Sequence, residues 1–305
     1  MTSQPEHPSP TALAGDTTTE PTALGLIVAI TDLSVESERA LSRAALLAAQ
    51  HRAPLRLVYF AGGGKSHYPD PQARLVQRCR ALGRQHNIVI EPADNADATL
   101  KSVKAAAVGA DLLVMHHSLC GKLDGLVKRS VIDQLLRASR CPVLVVKGPA
   151  TEPYRHTLVA LDLKAGSEHL LTWGLLGGQS TRMSVFHALD NQVMRPSAAT
   201  DRAQPALSLD ERRAAERQLA QVYLREVIDQ HVPPGQAADI FVAYGETARE
   251  LVSLQSARGI NLTVIGKRDA SLMRDVLQRS KGQRVLNQSA GDVLVSTLHH
   301  AATTG

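Results

Sequence analysis

Cysteine, aromatic residues and long apolar runs are all scarce in this sequence. The three cysteines are an odd number without close pairing, which indicates reduced thiols and argues against a disulfide framework. Aromatic side chains are only 3% of the chain, too few for platforms on which nucleic-acid bases stack. No apolar run approaches the roughly 18 residues that cross a bilayer, and the first residues lack the pattern of a signal peptide. These absences predict a cytoplasmic protein with neither membrane nor nucleic acid as its partner.

A strong excess of one charge is missing as well. The formal net charge is +5 and the pI is near 9.2, but the arginines are scattered along predicted helices. A nucleic-acid binder is expected to present a clustered basic face, so this class is disfavoured. The apolar fraction of 44% and the charged fraction of 21% are typical of a globular protein. At 305 residues, the chain is long enough for two domains.

One sequence pattern occurs twice. Asp111 to Val146 and Asn261 to Ser296 each have the pattern of a strand, a turn, a helix and a strand, at one constant spacing without a gap. The identical pairs are Leu112/Leu262, Val114/Val264, Arg129/Arg279, Ser130/Ser280, Leu136/Leu286, Ser139/Ser289, Val143/Val293, Leu144/Leu294 and Val145/Val295. Such self-similarity indicates a duplicated domain.

Apolar strands alternate with helices throughout both copies. Continuous apolar runs such as Leu24–Ile30 are typical of strands buried on both faces of a parallel sheet. We therefore predict an α/β fold with two tandem doubly wound, Rossmann-like domains, each with a five-stranded, mostly parallel sheet and flanking helices. The predicted domains are 23–148 and 153–298, after a disordered tail at 1–22 that is rich in Pro, Ser and Thr.

The second domain carries an insertion after its second strand. The spacing between the copies lengthens there, and 191–207 is the additional segment, which we interpret as an exposed loop. Ser208 and Glu211 then form the capping-box pattern that begins a helix. The apolar residues of this helix that we expect toward the core are Leu219, Val222 and Val227.

Polar residues and a glycine stand where predicted strands end. In doubly wound sheets, ligands bind at the carboxyl ends of the strands. Asp32 and Asp162 follow the first strand of each domain, and Gly266 follows the fourth strand of the second domain. A glycine in such a turn lets backbone N–H groups approach phosphate oxygens. Each signal also has a plainer explanation, because an aspartate after a strand is often a helix cap or a turn former.

A metal site is not predicted. His116, His117 and Cys120 place three metal-binding residue types in one short stretch. A fourth ligand is not evident nearby, and two adjacent histidines in a regular element point apart. A polar loop is the better interpretation of this stretch.

Beyond the tail, the chain resembles a tandem universal stress protein. The resemblance rests on the strand end Val264-Ile265-Gly266 and the last strand Asp292-Val293-Leu294-Val295, and in the first copy on Cys141-Pro142-Val143-Leu144-Val145-Val146. Asp32 and Asp162 match an aspartate that contacts the nucleotide in that family. The resemblance implies a nucleotide-binding fold and a role in a bacterial-type stress response.

The phosphate-binding signature of that family is only partly present. The signature is a glycine, two residues, a second glycine, nine residues and then Gly-Ser or Gly-Thr. In the first domain these positions hold His116, Leu119, Arg129 and Ser130, and with Asp32 they form a degenerate counterpart of a site. In the second domain they hold Gly266, Asp269, Arg279 and Ser280. Side chains at the glycine positions would intrude where backbone should meet phosphate.

The resemblance therefore implies a nucleotide site in the second domain alone, with ATP, ADP or AMP as its ligand. Lys267 and Arg279 offer positive charges for phosphate in place of the lost glycines. The candidate nucleotide-binding residues are Asp162, His187, Gly245, Ile265, Gly266, Lys267, Arg279 and Ser280. No catalytic residue is predicted.

The leading hypothesis is a non-enzymatic universal stress protein. Two alternatives stay open: an ATP-binding or ATP-hydrolysing member of the family, and an interaction adaptor that uses the loop 191–207. Because members of the family dimerise by pairing their last strands, Val143–Val146 and Val293–Val295 are expected to pair within this one chain and to cover two sheet edges. A homodimer and an unidentified protein partner are left open.

Overall fold

The computed structural model describes most of both repeats. The described residues are 24–61, 66, 68–94, 98–120, 134–136, 139, 141–163, 167–178, 181–189, 208–267 and 281–297. The predicted tail at 1–22, the insertion at 191–207, and Arg129, Ser130, Arg279 and Ser280 lie outside these residues, and Lys267 is described by its backbone alone.

Strands and helices alternate as the apolar pattern predicts. The strands are β1 (Ile27–Thr31), β2 (Leu55–Tyr59), β3 (Ile90–Pro92), β4 (Leu112–His116), β5 (Val143–Val146), β6 (His156–Ala160), β7 (Arg182–Leu189), β8 (Ala238–Tyr244), β9 (Leu262–Lys267) and β10 (Asp292–Thr297). The helices are α1 (Glu38–His51), α2 (Pro71–His86), α3 (Leu100–Ala106), α4 (Leu170–Gly174), α5 (Leu209–His231), α6 (Thr247–Arg258) and α7 (Lys281–Gln288), with a 3-10 turn at His117–Cys120. The predicted capping box is present at the start of α5, where Glu211 N–H donates to the Ser208 hydroxyl and Ser208 N–H donates to the Glu211 carboxylate.

The two repeats form one continuous sheet. Its strand order is β3-β2-β1-β4-β5-β10-β9-β6-β7-β8. Only β5 and β10 are antiparallel among the described strand pairs, with Leu144 opposite Leu294 at the centre of the register. The predicted α/β class and the predicted pairing of the last strands within the chain are therefore both present. Each repeat supplies five strands, and the antiparallel pair joins them about a pseudo-twofold axis.

Core side chains cover both faces of the sheet. In β1, Ile27 and Ala29 pack with α1 on one face, whereas Val28 and Ile30 pack on the opposite face. Burial on both faces explains the continuous apolar runs, because each fully buried Val, Leu or Ile stabilises the fold by about 1.5–3 kcal/mol. Among the helices of the described residues, none is both long and apolar enough to cross a membrane.

The face that α5 buries differs from the prediction. Val227 is buried as expected, but Leu219 is 73% exposed and Val222 is 47% exposed. The buried positions are Ala220, Leu224, Val227 and Ile228. These positions follow the spacing of a single helical stripe, and small Ala220 lets the helix approach the sheet along it. The prediction for Leu219 and Val222 was wrong because the side of the helix with Ala220 packs on the sheet, which leaves these larger apolar side chains outside.

A buried charged network joins the two repeats. Asp292 begins β10 and is 2% exposed. Its Oδ1 accepts the N–H groups of Lys147 at 2.8 Å and Gly148 at 3.1 Å. Its Oδ2 accepts the Tyr154 hydroxyl at 2.7 Å and lies 3.4 Å from Nε of Arg43 on α1. One carboxylate from the second repeat thus holds a helix of the first repeat and the segment that links them.

Within the described residues, the pair of Arg43 and Asp292 is not repeated across the pseudo-twofold axis. Arg43 also stacks on the Tyr154 ring, 4.1 Å from its centroid, and donates to the Glu152 carbonyl at 2.7 Å. In the aligned repeats, Trp173 stands at the position of Arg43, and Pro142 stands at the position of Asp292. The charged pair therefore lies on the side where the linking segment passes, and the two counterpart positions carry no charge.

Candidate functional site

The candidate residues of the second repeat come together where its parallel strands end. In the ladders between β6 and its two neighbours, Ala160 is level with both Phe186 and Ile265. One residue further along each strand are Leu161, His187 and Gly266. Neighbouring strands lie about 4.8 Å apart, so His187 and Gly266 flank the backbone that leads into Asp162. We call this edge the second rim: residues 161–163, 187–189, 245–246 and 265–267.

His187 positions the backbone before Asp162. Its side chain is buried, and Nδ1 lies 2.9 Å from the Leu161 carbonyl oxygen. A carbonyl only accepts, so Nδ1 carries the proton. The Ser167 hydroxyl donates to the Asp162 carbonyl at 2.7 Å and holds the other side of the turn. The half-buried Asp162 carboxylate thus extends from a turn that two buried side chains keep in place.

Gly245 occupies a turn that favours glycine. It follows β8 with φ of +145°. A Cβ at this position would lie 3.2 Å from Oε1 of Glu250. The next residue, Glu246, accepts two hydrogen bonds from Nη1 of Arg284 on α7, at 2.6 and 2.7 Å. This pair, which the sequence did not suggest, ties the turn after β8 to the helix that follows the predicted phosphate-binding turn.

The start of the predicted phosphate-binding turn is open. Ile265 is half-buried, whereas Gly266 is exposed at the end of β9. Because glycine has no side chain, its backbone N–H can be approached closely, as phosphate-binding turns require. The rest of the turn, with Arg279 and Ser280, lies outside the described residues.

The equivalent edge of the first repeat is filled by the chain itself. We call it the first rim: residues 31–34, 59–61 and 116–119. Asp32 Oδ1 accepts the Ser34 N–H at 3.0 Å and the Ser37 hydroxyl at 2.7 Å. Leu33 has φ of +60°, and its carbonyl accepts the Tyr68 hydroxyl at 3.0 Å. Asp32 therefore stabilises its own turn, and the Tyr68 side chain lies against that turn.

Two side chains replace signature glycines in the first rim. Leu119 is fully buried in the core, where it packs with β4 residues such as Met115. His116 is also buried, and its Nδ1 accepts the Ser118 N–H at 3.1 Å. Burial, and next the charge of Arg39, lowers the pKa of His116, so the ring is neutral near pH 7. A neutral, buried histidine adds no positive charge for a phosphate.

The structure offers little support for other kinds of site. Within the described residues, no group of three or more His, Cys, Asp or Glu side chains could hold a metal ion, and the Cys120 side chain lies outside them. An open cleft of about 830 Å³ between α2 and residues 87–90 includes Cys79, Arg80 and Arg84 in its lining. That cleft lies at the amino end of β3, away from both rims.

Comparison with solved structures supports the fold. A universal stress protein from Archaeoglobus fulgidus superposes with a TM-score of 0.62 at 15% identity, over 90% of this chain and 96% of that chain. A functionally unknown protein from Pseudomonas aeruginosa PAO1 also gives a TM-score of 0.62, at 17% identity, over 90% of this chain and 93% of that chain. At such identities the likeness concerns the fold alone. A search of curated proteins finds no match.

The sequence itself matches a known family twice. The family model of the universal stress protein family matches residues 25–147 and again residues 153–297. The two matches together cover most of the chain and coincide with the two halves of the ten-stranded sheet. The chain therefore belongs to the universal stress protein family, with two domains of that family in tandem.

Proposed function

We propose that this chain is a non-enzymatic, cytoplasmic universal stress protein whose second domain binds an adenine nucleotide weakly. The first domain, placed at 23–148, acts as its structural partner, and the second, placed at 153–298, carries the nucleotide site. The observation that supports this division is the contrast between the rims. Gly266 is exposed at the second rim, whereas its counterpart in the first rim is the buried side chain of His116.

The charges around the second rim favour weak binding. The Asp162 carboxylate follows β6 at this rim and would accept hydrogen bonds from a ribose or an adenine amine, and Lys267 follows Gly266 directly. Asp269, however, stands where the signature has its second glycine and would repel a triphosphate. A dissociation constant of roughly 0.1–1 mM, or about −4 to −5.5 kcal/mol, is therefore expected for ATP, ADP or AMP.

Calorimetric titration of the full chain with ATP, ADP and AMP tests this proposal. The test variant is Gly266→Trp, which places a large side chain on the exposed turn. Val89→Trp is the matched control, since Val89 is exposed before β3 at the other end of the sheet. Binding heat in the wild type and the control, lost in Gly266→Trp, is the expected result. The absence of binding heat with all three nucleotides would refute the nucleotide proposal.

Hydrolysis of ATP is the alternative activity of the same site. It requires a positioned general base, and within the second rim Asp162 is the described carboxylate nearest to the phosphate turn in the strand register. Turnover by the purified chain well above background, lost in Asp162→Ala, would replace the non-enzymatic proposal.

An adaptor role is the other alternative. It is compatible with the first rim, where the Asp32 carboxylate and the Tyr68 hydroxyl bond to the chain's own turn, so that contacts of this domain would lie elsewhere on its surface. Deletion of 191–207 should then abolish capture of the protein partner while the unfolding transition of the chain stays unchanged. Retained capture after the deletion would remove the loop from this role.

A further inference from the structure

The two edges of the ten-stranded sheet differ in how well they are protected. At one edge, β3 has only three residues, and two of them are the exposed Glu91 and Pro92. At the other edge, β8 has seven residues and contains no proline. Its one charged residue, Asp239, is engaged by Arg182 of β7 at 2.6 Å. Short strands, charges and prolines are the means by which proteins block edge pairing, and β8 has almost none of them.

An exposed apolar stripe lies on α5, the helix that packs on the face of β8. Leu219, Val222 and Tyr223 of α5 are 73%, 47% and 38% exposed. Their spacing places them on one side of the helix. We call these three residues the α5 stripe. The same helix packs its buried residues on β8, so the stripe and β8, the last strand of the sheet among the described residues, belong to the same end of the molecule.

The α5 stripe is level with the centre of β8. The Tyr244 hydroxyl at the end of β8 donates to the Glu216 carboxylate and to the Arg213 carbonyl on α5. A short turn joins the helix to the strand, so they run in opposite directions. Phe241, the middle residue of β8, is about 10 Å before Tyr244 at the rise of a strand. A distance of 10 Å corresponds to about six or seven residues of a helix at 1.5 Å each. Counted along α5 from Arg213 and Glu216, it places Phe241 beside residues 221–222.

The chain already uses one interface of this kind internally. β5 and β10 pair their edges antiparallel, and α1 and α4 lie on the same face of the sheet beside that pair. Across it, the Gln50 side chain at the end of α1 donates to the Leu176 carbonyl just beyond α4, at 3.1 Å. Antiparallel edge strands with flanking helices on one face are therefore a stable arrangement for this fold.

We propose that two copies of this chain associate by pairing their β8 edges antiparallel about a twofold axis at Phe241, with the α5 stripes packed against each other. In this register Ile240 faces Val242 and Asp239 faces Ala243 of the other copy, so no like charges are opposed. The axis passes at the level of the α5 stripe, so the same twofold symmetry brings the stripes of the two copies to the same level beside the paired strands. An extended peptide on β8 would leave the stripe in water, which favours a second copy as the occupant.

The oligomeric state of the full chain, measured by sedimentation velocity over a range of concentrations, tests this surface. Leu219→Glu/Val222→Glu is the test variant, because both side chains are exposed and the changes leave the core intact. Val35→Glu is the matched control at a residue that is 84% exposed, and Val89→Glu tests the β3 edge. We expect a dimer in the wild type and both controls, and at least about a tenfold rise in the dimer Kd of the test variant.

Three outcomes of sedimentation would overturn the proposal. They are a monomeric wild type at all concentrations, a dimer that the double substitution leaves unchanged, and a dimer that only Val89→Glu weakens. The last two outcomes would assign the dimer to another surface. Circular dichroism and the urea midpoint establish that each variant is folded.

Cross-linking locates the twofold axis directly. Val222→Cys lies at the level of the axis, so two copies should form a disulfide-linked dimer under mild oxidation. Val35→Cys and the wild type measure the background from surface and native thiols. A cross-linked fraction in Val222→Cys no greater than in Val35→Cys would contradict the proposed symmetry.

Discussion

Removal of the Asp292 carboxylate should strongly destabilise the whole chain. In Asp292→Ala, the Arg43 guanidinium stays buried, with 6% of its side chain exposed, but loses its ion-pair partner. The Tyr154 hydroxyl and two backbone N–H groups lose their acceptor as well. An uncompensated buried charge costs about 3–5 kcal/mol. We therefore expect the free energy of unfolding to fall by about 3–5 kcal/mol.

Urea unfolding followed by circular dichroism measures this loss, and two further variants isolate its cause. Glu152→Ala removes the acid of an exposed pair with Arg155, whose side chain is 75% exposed, and should change stability by less than about 1 kcal/mol. Arg43→Met/Asp292→Asn removes both charges and keeps an acceptor for the linking segment. It should be more stable than Asp292→Ala, since the buried charge is gone. A loss below about 1 kcal/mol in Asp292→Ala would refute the reasoning.

Three further changes probe other parts of the structure. Burial lowers the pKa of His156 from 6.5, so the folded state binds a proton at this ring less readily than the unfolded state. The neutral ring's contribution to the free energy of unfolding is therefore present above pH 6.5 and is lost as the pH falls below it. His156→Gln should remove part of the fall in urea midpoint between pH 8 and pH 5, and an unchanged fall would contradict this role. Leu119→Ala should cost about 2–5 kcal/mol in urea unfolding, because Leu119 is fully buried, and should leave nucleotide titrations unchanged. Gly245→Ala should cost more than about 1 kcal/mol at φ of +145°, whereas a thermal midpoint equal to that of the wild type would show that the turn tolerates a side chain.

Much of the fold could be predicted because its signals are local in the sequence. Continuous apolar runs predicted strands buried on both faces, and β1 and β4 are fully buried. The capping box at Ser208 predicted the start of α5. The pairing of the last strands followed from the repeat and from the family it resembles, and Leu144 indeed lies opposite Leu294.

The buried face of α5 could not be predicted in the same way. The helix has a weakly segregated pattern, with apolar residues on more than one side, so periodicity alone does not choose between them. Ala220 is buried and Leu219 is exposed because the contact with β8 decides which stripe packs. The apolar residues left outside are the ones that now define the α5 stripe.

The candidate site also has some features that the sequence predicted and others that it did not. The sequence identified which positions of the signature had lost glycine, because a signature is read position by position. It did not indicate that the Tyr68 hydroxyl donates to the Leu33 carbonyl, or that Arg284 pairs with Glu246 across the second rim. Such contacts join residues far apart in the chain, so their presence depends on how the elements pack.

The duplication, the alternation of strands and helices, and the loss of glycine from both phosphate-binding signatures follow from the amino-acid sequence alone. These properties depend on residue type and spacing, which directly affect strand burial and turn geometry. Two other features depend on how the repeats pack: Asp292 joins Arg43 to the linking segment, and β8 is the less protected edge of one continuous sheet. Both depend on the antiparallel pairing of β5 and β10, which brings residues of the two repeats together and leaves β3 and β8 at the ends.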